Sequence, residues 1–204
     1  MRTLFDLEKF INQYVTRRGV SIFEADIREN HVALSKAVKD KSILVIGGAG
    51  SIGQNFIQTV LPFCPRVDIN ENALTELTRN LRAGGFLVPP IYLPYPMDYS
   101  SPTFKRFFIK HEGFDIVANF SAHKHVRSER DIYGVEALLR NNVINVKGLL
   151  DLMSAFPPES YFCVSTDKAA NPVNVMGASK RLMERLGFAY SDIFPVKTAR
   201  FANV

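Results

Sequence analysis

Thr166-Asp167-Lys168 sets three proton-handling side chains in a row, and Lys180 adds a second ammonium twelve residues further on. A carboxyl group beside an amine can serve as a general acid and base, once burial or a nearby charge has moved both pKa values toward neutrality. The same pair in an open loop is an ordinary solvated ion pair, and the residue types alone leave both readings open. A second constellation lies upstream, where Gly47-Gly48-Ala49-Gly50-Ser51-Ile52-Gly53 follows the apolar run SILVI. Gly47 permits a tight turn, Gly50 lets backbone approach a pyrophosphate, and Gly53 lets a helix pack closely on a strand. The free N–H groups of Ser51, Ile52 and Gly53 at a helix start, with the helix dipole, make an anion site. This pattern predicts dinucleotide binding; a glycine-rich turn that binds nothing is the competing reading.

Asp68 in RVDINEN is expected to end the second strand and to accept hydrogen bonds from an adenosine ribose, which favours NAD over NADP. Fifteen positions separate Gly53 from Asp68, where roughly twenty from the motif is usual. The sequence therefore predicts a stunted second strand or residues missing around it. Asp98, after the next strand, is a candidate for the adenine amino group, with a surface turn acid as its alternative. His123 and His125 flank Lys124 at a strand end, but no third ligand accompanies them and no metal is expected. Lys124 and His125 are assigned instead to the substrate pocket.

The elements that would position these groups alternate. Buried strands are expected at 42–46, 66–69, 91–95, 114–120, 161–165 and 194–201, separated by helices at 51–61, 71–82, 102–110, 134–156 and 174–190. Alternation of this kind predicts an α/β fold, a Rossmann-like doubly wound parallel sheet with helices on both faces. Ligands of such a sheet bind beyond the carboxyl ends of its strands, where the glycine loop and Thr166-Asp167-Lys168 fall. Ahead of it, apolar spacing predicts helices at 3–17 and 28–39, an amino-terminal helical appendage over 1–40, with the NAD-binding domain over 41–204. The last strand closes at the end of the chain, so a substrate-closing lobe is expected to be missing from it.

Composition narrows the class. The 204 residues are 47% apolar with a net charge of +5, enough for a buried core. Basic residues are scattered rather than interleaved with aromatics, so no nucleic-acid partner is expected. No apolar run reaches the length of a membrane span and the first residues lack a signal-peptide pattern, which predicts a cytoplasmic protein. Cys64 and Cys163, with no ligand or disulfide spacing, are expected to be packing residues.

LVIGGAGSIGQ, VDINENALTELTRNLR, NFSAHKHV, LLRNNVINVKGLLDLM, CVSTDKAANPVNVMGASKRLMERL and ARFANV occur in the order seen in extended short-chain dehydrogenase/reductases of the polysaccharide-biosynthesis type. The chain most resembles the UDP-N-acetylglucosamine 4,6-dehydratases. Many nicotinamide enzymes carry Tyr-x-x-x-Lys on the helix that here reads Met176-Gly177-Ala178-Ser179-Lys180, and in one branch of this group methionine regularly replaces the tyrosine. The resemblance implies an internal redox cycle: bound NAD takes hydride from sugar C4, water leaves across C5 and C6, and the hydride returns to C6. It implies Lys168 as the base at C5 and Asp167, with a raised pKa in a dry site, as the acid at the C6 hydroxyl. Thr166 would bond the C4 oxygen, Met176 would pack inertly near the substrate, and Lys180 would hold the nicotinamide ribose. Asn142 would brace the active-site strand. A UDP-sugar substrate and a homo-oligomer are implied as partners; an epimerase on the same scaffold and a non-catalytic NAD-binding module are the alternatives.

Overall fold

The computed structural model describes residues 6–19, 22–63, 66–70, 91–123 and 129–202. The chain divides into two compact units, Met1–Lys39 and Asp40–Val204. In the first, helix α1 (Leu7–Phe10) runs into a π turn at Ile11–Val15, and helices α2 (Ile22–Glu29) and α3 (His31–Val38) follow. The helix expected over 28–39 is α3, and α2 ahead of it is unexpected. Asn30 leaves helical geometry between them and turns its Nδ2 back onto the Asp26 carbonyl at 2.9 Å, the local bonding by which asparagine competes with a continuing helix.

The second unit is built on strands β1 (Ser42–Ile46), β2 (Arg66–Asn70), β3 (Ile91–Tyr95), β4 (Ile116–Asn119), β5 (Ser160–Thr166) and β6 (Val196–Phe201). They form one sheet in the order β3-β2-β1-β4-β5-β6, every pair parallel. Between them lie α4 (Ser51–Val60), α5 (Pro102–Lys110), α6 (Ile132–Leu139), α7 (Val146–Ala155) and α8 (Val175–Ala189). Strand order reverses between β1 and β4, the switch point of a doubly wound sheet. The central strand shows why its sequence is apolar throughout: Ile43, Leu44, Val45 and Ile46 are all buried. Leu44 and Ile46 join Phe104, Phe108, Val117, Leu149, Leu150, Met153 and Tyr161 in the main core.

Helix starts follow short polar side chains. Ser101 accepts from Phe104 N, Asp131 from Gly134 N, and Asn174 from Gly177 N at 2.8 Å. Three expectations are corrected. The strand over 114–120 is confined to Ile116–Asn119; Asp115 ahead of it is a bend whose carboxylate accepts from Ser42 N and Oγ, both at 2.7 Å, while its carbonyl accepts from Glu159 N at 2.8 Å. The second strand is not stunted: β2 pairs with β1 and β3 along all of Arg66–Asn70. That register places Asp68 opposite Leu44 and Leu93, in the middle of β2 rather than at its end. The helix expected over 71–82 lies outside the described residues.

The long helix expected over 134–156 starts at Ile132 and contains a π segment, Arg140–Asn145, between α6 and α7. A π turn admits one extra residue, and the apolar stripe shifts phase across it.

Candidate active site

At the switch point the chain leaves β1 through Gly47, whose φ of +75° is in the left-handed region. A Cβ there would also lie 2.6 Å from Ser121 N, in the backbone that follows β4. Gly50 is the residue before α4; a Cβ on it would meet only Gly47 O, at 3.4 Å, and otherwise open space. A Cβ on Gly53 would press into Gly47 O and come within 2.9 Å of Gly48 Cα. The three glycines therefore do different things: Gly47 and Gly53 hold the turn against its neighbours, and Gly50 keeps one side open. No side chain caps α4, so the first-turn amides at Ser51, Ile52 and Gly53 face that opening without an intrahelical acceptor. These residues fit an anionic dinucleotide.

Beyond β5 the chain turns through a short 3₁₀ segment, Asp167–Ala169. Asp167 Oδ1 accepts from Thr166 Oγ1 at 2.9 Å, from Lys168 N at 2.8 Å and from Lys168 Nζ at 3.2 Å. The Thr166 hydroxyl first, then the Lys168 ammonium, holds the Asp167 carboxyl below its ordinary range. The expected raised pKa in a dry site is corrected here: the Asp167 side chain is 52% exposed, and three donors stabilise its charged form.

This turn is locked to α8 through a glycine. A Cβ on Gly177 would fall 2.7 Å from the Lys168 carbonyl, so the first turn of α8 lies directly on Lys168 backbone. Met176, 3% exposed, packs inward beside it, and its N–H donates to Glu129 Oε1 at 2.7 Å. One turn later Lys180 is also 3% exposed, and its Nζ donates to Met183 Sδ at 3.2 Å, a weak acceptor. Burial lowers its pKa from 10.5 to about 8, against the opposing pull of Cys163 and Glu184.

Asn142, buried in the π segment, ties three elements together. Its Oδ1 accepts from His123 N at 3.0 Å, and its Nδ2 donates to His123 O at 3.0 Å and to Ser179 Oγ at 3.1 Å. Ser179 in turn donates to the Met176 carbonyl at 2.7 Å. The brace runs from the loop after β4 to α8 rather than to the strand. Asn142→Ala leaves these buried groups unpaired and is expected to cost about 1–3 kcal/mol in urea denaturation; an unchanged midpoint would show that the groups find other partners.

Asp98 is exposed, and its Oδ1 accepts from Ser100 N and Oγ at 2.7 and 2.8 Å, the geometry of a turn acid. Lys124 and His125 lie outside the described residues, as does Cys64; Cys163 is buried and free, as a packing residue would be. Among the described residues no group of three metal-ligating side chains occurs, and no helix is long and apolar enough to cross a membrane. Sequence reasoning missed Glu129, Gly177, Ser179, Glu184 and Arg200. Only Gly177, adjacent to Met176, and Glu184, one helical turn after Lys180, carried a local signal.

An all-parallel sheet with a glycine loop at its switch point and a buried lysine helix behind β5 is the core of an extended short-chain dehydrogenase/reductase. The solved UDP-Glc/GlcNAc 4-epimerase of Campylobacter jejuni superposes with a TM-score of 0.68 at 20% identity, over 78% of this chain and 52% of that one. Residues 43–204 match the polysaccharide biosynthesis protein family, and the chain belongs to it. An uncharacterized membrane protein of Methanocaldococcus jannaschii is 38% identical over 181 residues, covering 84% of this chain and 51% of that protein. A UDP-N-acetylglucosamine 4,6-dehydratase (inverting) of Campylobacter jejuni is 26% identical over 165 residues, 79% of this chain and 47% of the relative. The chain thus spans about half the length of these relatives.

Proposed function

We propose that residues 41–204 are the NAD-binding domain of a cytoplasmic nucleotide-sugar 4,6-dehydratase acting on UDP-N-acetylglucosamine in surface polysaccharide or glycan synthesis. The observation that carries this reading is the gathering of Thr166 and Lys168 on one oxygen of Asp167, beside a helix whose proton-carrying position is Met176. An epimerase on this scaffold needs a proton carrier at 176; a dehydratase needs an acid and a base at adjacent carbons, and Asp167 and Lys168 supply that pair.

Gly47, Gly50, Gly53 and the first-turn amides of α4 would hold the pyrophosphate, and Lys180 the nicotinamide ribose. Asp68, the acid within β2, would favour NAD over NADP. When bound, NAD supplies the hydride acceptor at C4 and the donor at C6. The chain's own residues handle the protons. Lys168 Nζ and Asp167 Oδ1, 3.2 Å apart, can share one proton: with it on Asp167, Lys168 takes the C5 proton while Asp167 gives its own to the departing C6 hydroxyl. Open to water, Asp167 is held ionised, so the neutral pair forms only when bound sugar excludes solvent and turns the Thr166 hydroxyl from Asp167 to the C4 oxygen.

Incubation of the full-length protein with UDP-N-acetylglucosamine in deuterated water tests this. The expected product is a UDP-4-keto-6-deoxy sugar carrying deuterium at C5, with Lys168→Met binding NAD but forming none. A C4 epimer without loss of water would overturn the dehydratase in favour of the epimerase, and unchanged sugar with NAD bound would favour the non-catalytic module.

A further inference from the structure

Behind Lys180 the structure continues a line of alternating charge that the proposed reaction leaves unused. Glu184 follows Lys180 by one turn of α8, on the same face, and is 5% exposed. Its two carboxylate oxygens accept from Arg200 on β6, Oε1 from Nε at 2.9 Å and Oε2 from Nη2 at 2.7 Å. Arg200 is half exposed, so the line runs from solvent inward as guanidinium, carboxylate, ammonium. The titratable neighbour of both Lys180 and Glu184 is Cys163 on β5, pushed up by burial and therefore neutral near pH 7, with Tyr161 beyond it likewise pushed up.

A buried ammonium facing a thioether lacks the solvation its charge requires. A carboxylate one turn away can supply part of it, and a second cation paired with that carboxylate draws part of its field away. Arg200 provides that pairing in the bidentate geometry that guanidinium favours. We infer that Glu184 is a positioning residue that keeps the Lys180 ammonium charged at the cofactor end of α8, and that Arg200 sets how much of the Glu184 field reaches it. The assignment rests on the proposed role of Lys180 toward the ribose, because a neutral amine there would donate more weakly. The competing role for the pair is a plain staple between α8 and β6.

The two roles separate in the titration of Lys180, followed by NMR of the cofactor-free protein labelled at the lysine side chains and assigned through Lys180→Arg. Glu184→Gln is expected to lower the Lys180 midpoint from about 8 by about half a pH unit or more. Arg200→Gln is expected to raise it, since it removes a cation and exposes Lys180 to the full carboxylate field. A staple would loosen in both variants without shifts of opposite sign, so midpoints that stay put or move together overturn the inference. Should Glu184→Gln fail to fold, Arg200→Gln decides alone, an unchanged or lowered midpoint being fatal. NAD titration across the same pH range keeps the underlying reading separate. If the midpoints move as stated while NAD affinity ignores them, the tuning stands and the ribose role of Lys180 falls.

Discussion

Lys180→Met is expected to stabilise the cofactor-free protein and to abolish the proposed turnover. In the native state Lys180 titrates at about 8, against an ordinary 10.5, because burial penalises its charge. A difference of that size corresponds to about 3 kcal/mol. Between pH 8 and 10.5 the unfolded chain holds more protons on this group than the native one does, so stability climbs with pH through that window. Below pH 8 the whole penalty is present; above 10.5 it has gone. Methionine matches the lysine stem in volume, sits against Met183 without a charge to solvate, and leaves the Glu184–Arg200 pair intact. Urea denaturation of the variant should therefore show its largest gain at pH 7 and below, and the gain should fade toward pH 10.5. An equal gain at every pH would mean that packing, not charge, sets the difference. A stabilised but inactive variant is what a site that stores strain for function predicts.

Gly53→Ala should have the opposite effect, for reasons confined to a few atoms. Alanine in a helix interior is ordinarily favoured over glycine by about 1 kcal/mol. Here the added methyl meets Gly47 O and Gly48 Cα, both backbone, and neither can retreat without dragging the turn away from β4. Relieving such overpacking is expected to cost about 2–4 kcal/mol net, with loss of NAD binding. Gly50→Ala is the matched control: its methyl would meet only Gly47 O, at 3.4 Å, so stability should hold while NAD affinity falls. The pair of variants, compared by thermal denaturation and NAD titration, separates the glycine that builds the loop from the one that admits the ligand. Wild-type stability in Gly53→Ala would break this account.

These contrasts show which parts of the molecule can be read from one dimension. Alternating apolar runs, the polar residues before α5, α6 and α8, and the glycines after β1 are local, since each works through neighbours a few positions away. The brace and the charge line are not. Asn142 reaches His123 and Ser179, Glu129 reaches Met176, and Arg200 reaches Glu184 only after the sheet has brought distant segments together. The burial of Lys180 was equally hidden, because a lysine on an amphipathic helix normally points to water. Asp167 misleads in the other direction: its neighbours in sequence are its neighbours in space, but their donors hold its charge rather than relieve it of one.

The π segment between α6 and α7 also bears on how such a site can be lost. It is in effect a one-residue insertion that a helix absorbs by swelling, and removing any single residue from it would let the helix close to the ordinary pitch. The flanking helices would keep their faces, because the swelling already absorbs the extra residue, but the wide turn that aims Asn142 at both His123 and Ser179 would be gone. A lineage could therefore retire this site by one in-frame codon deletion, with every residue of the glycine loop and of Thr166-Asp167-Lys168 still in place. Among descendants of such a chain, an intact motif would be a poor guide to an intact site, and helix length would be the better one.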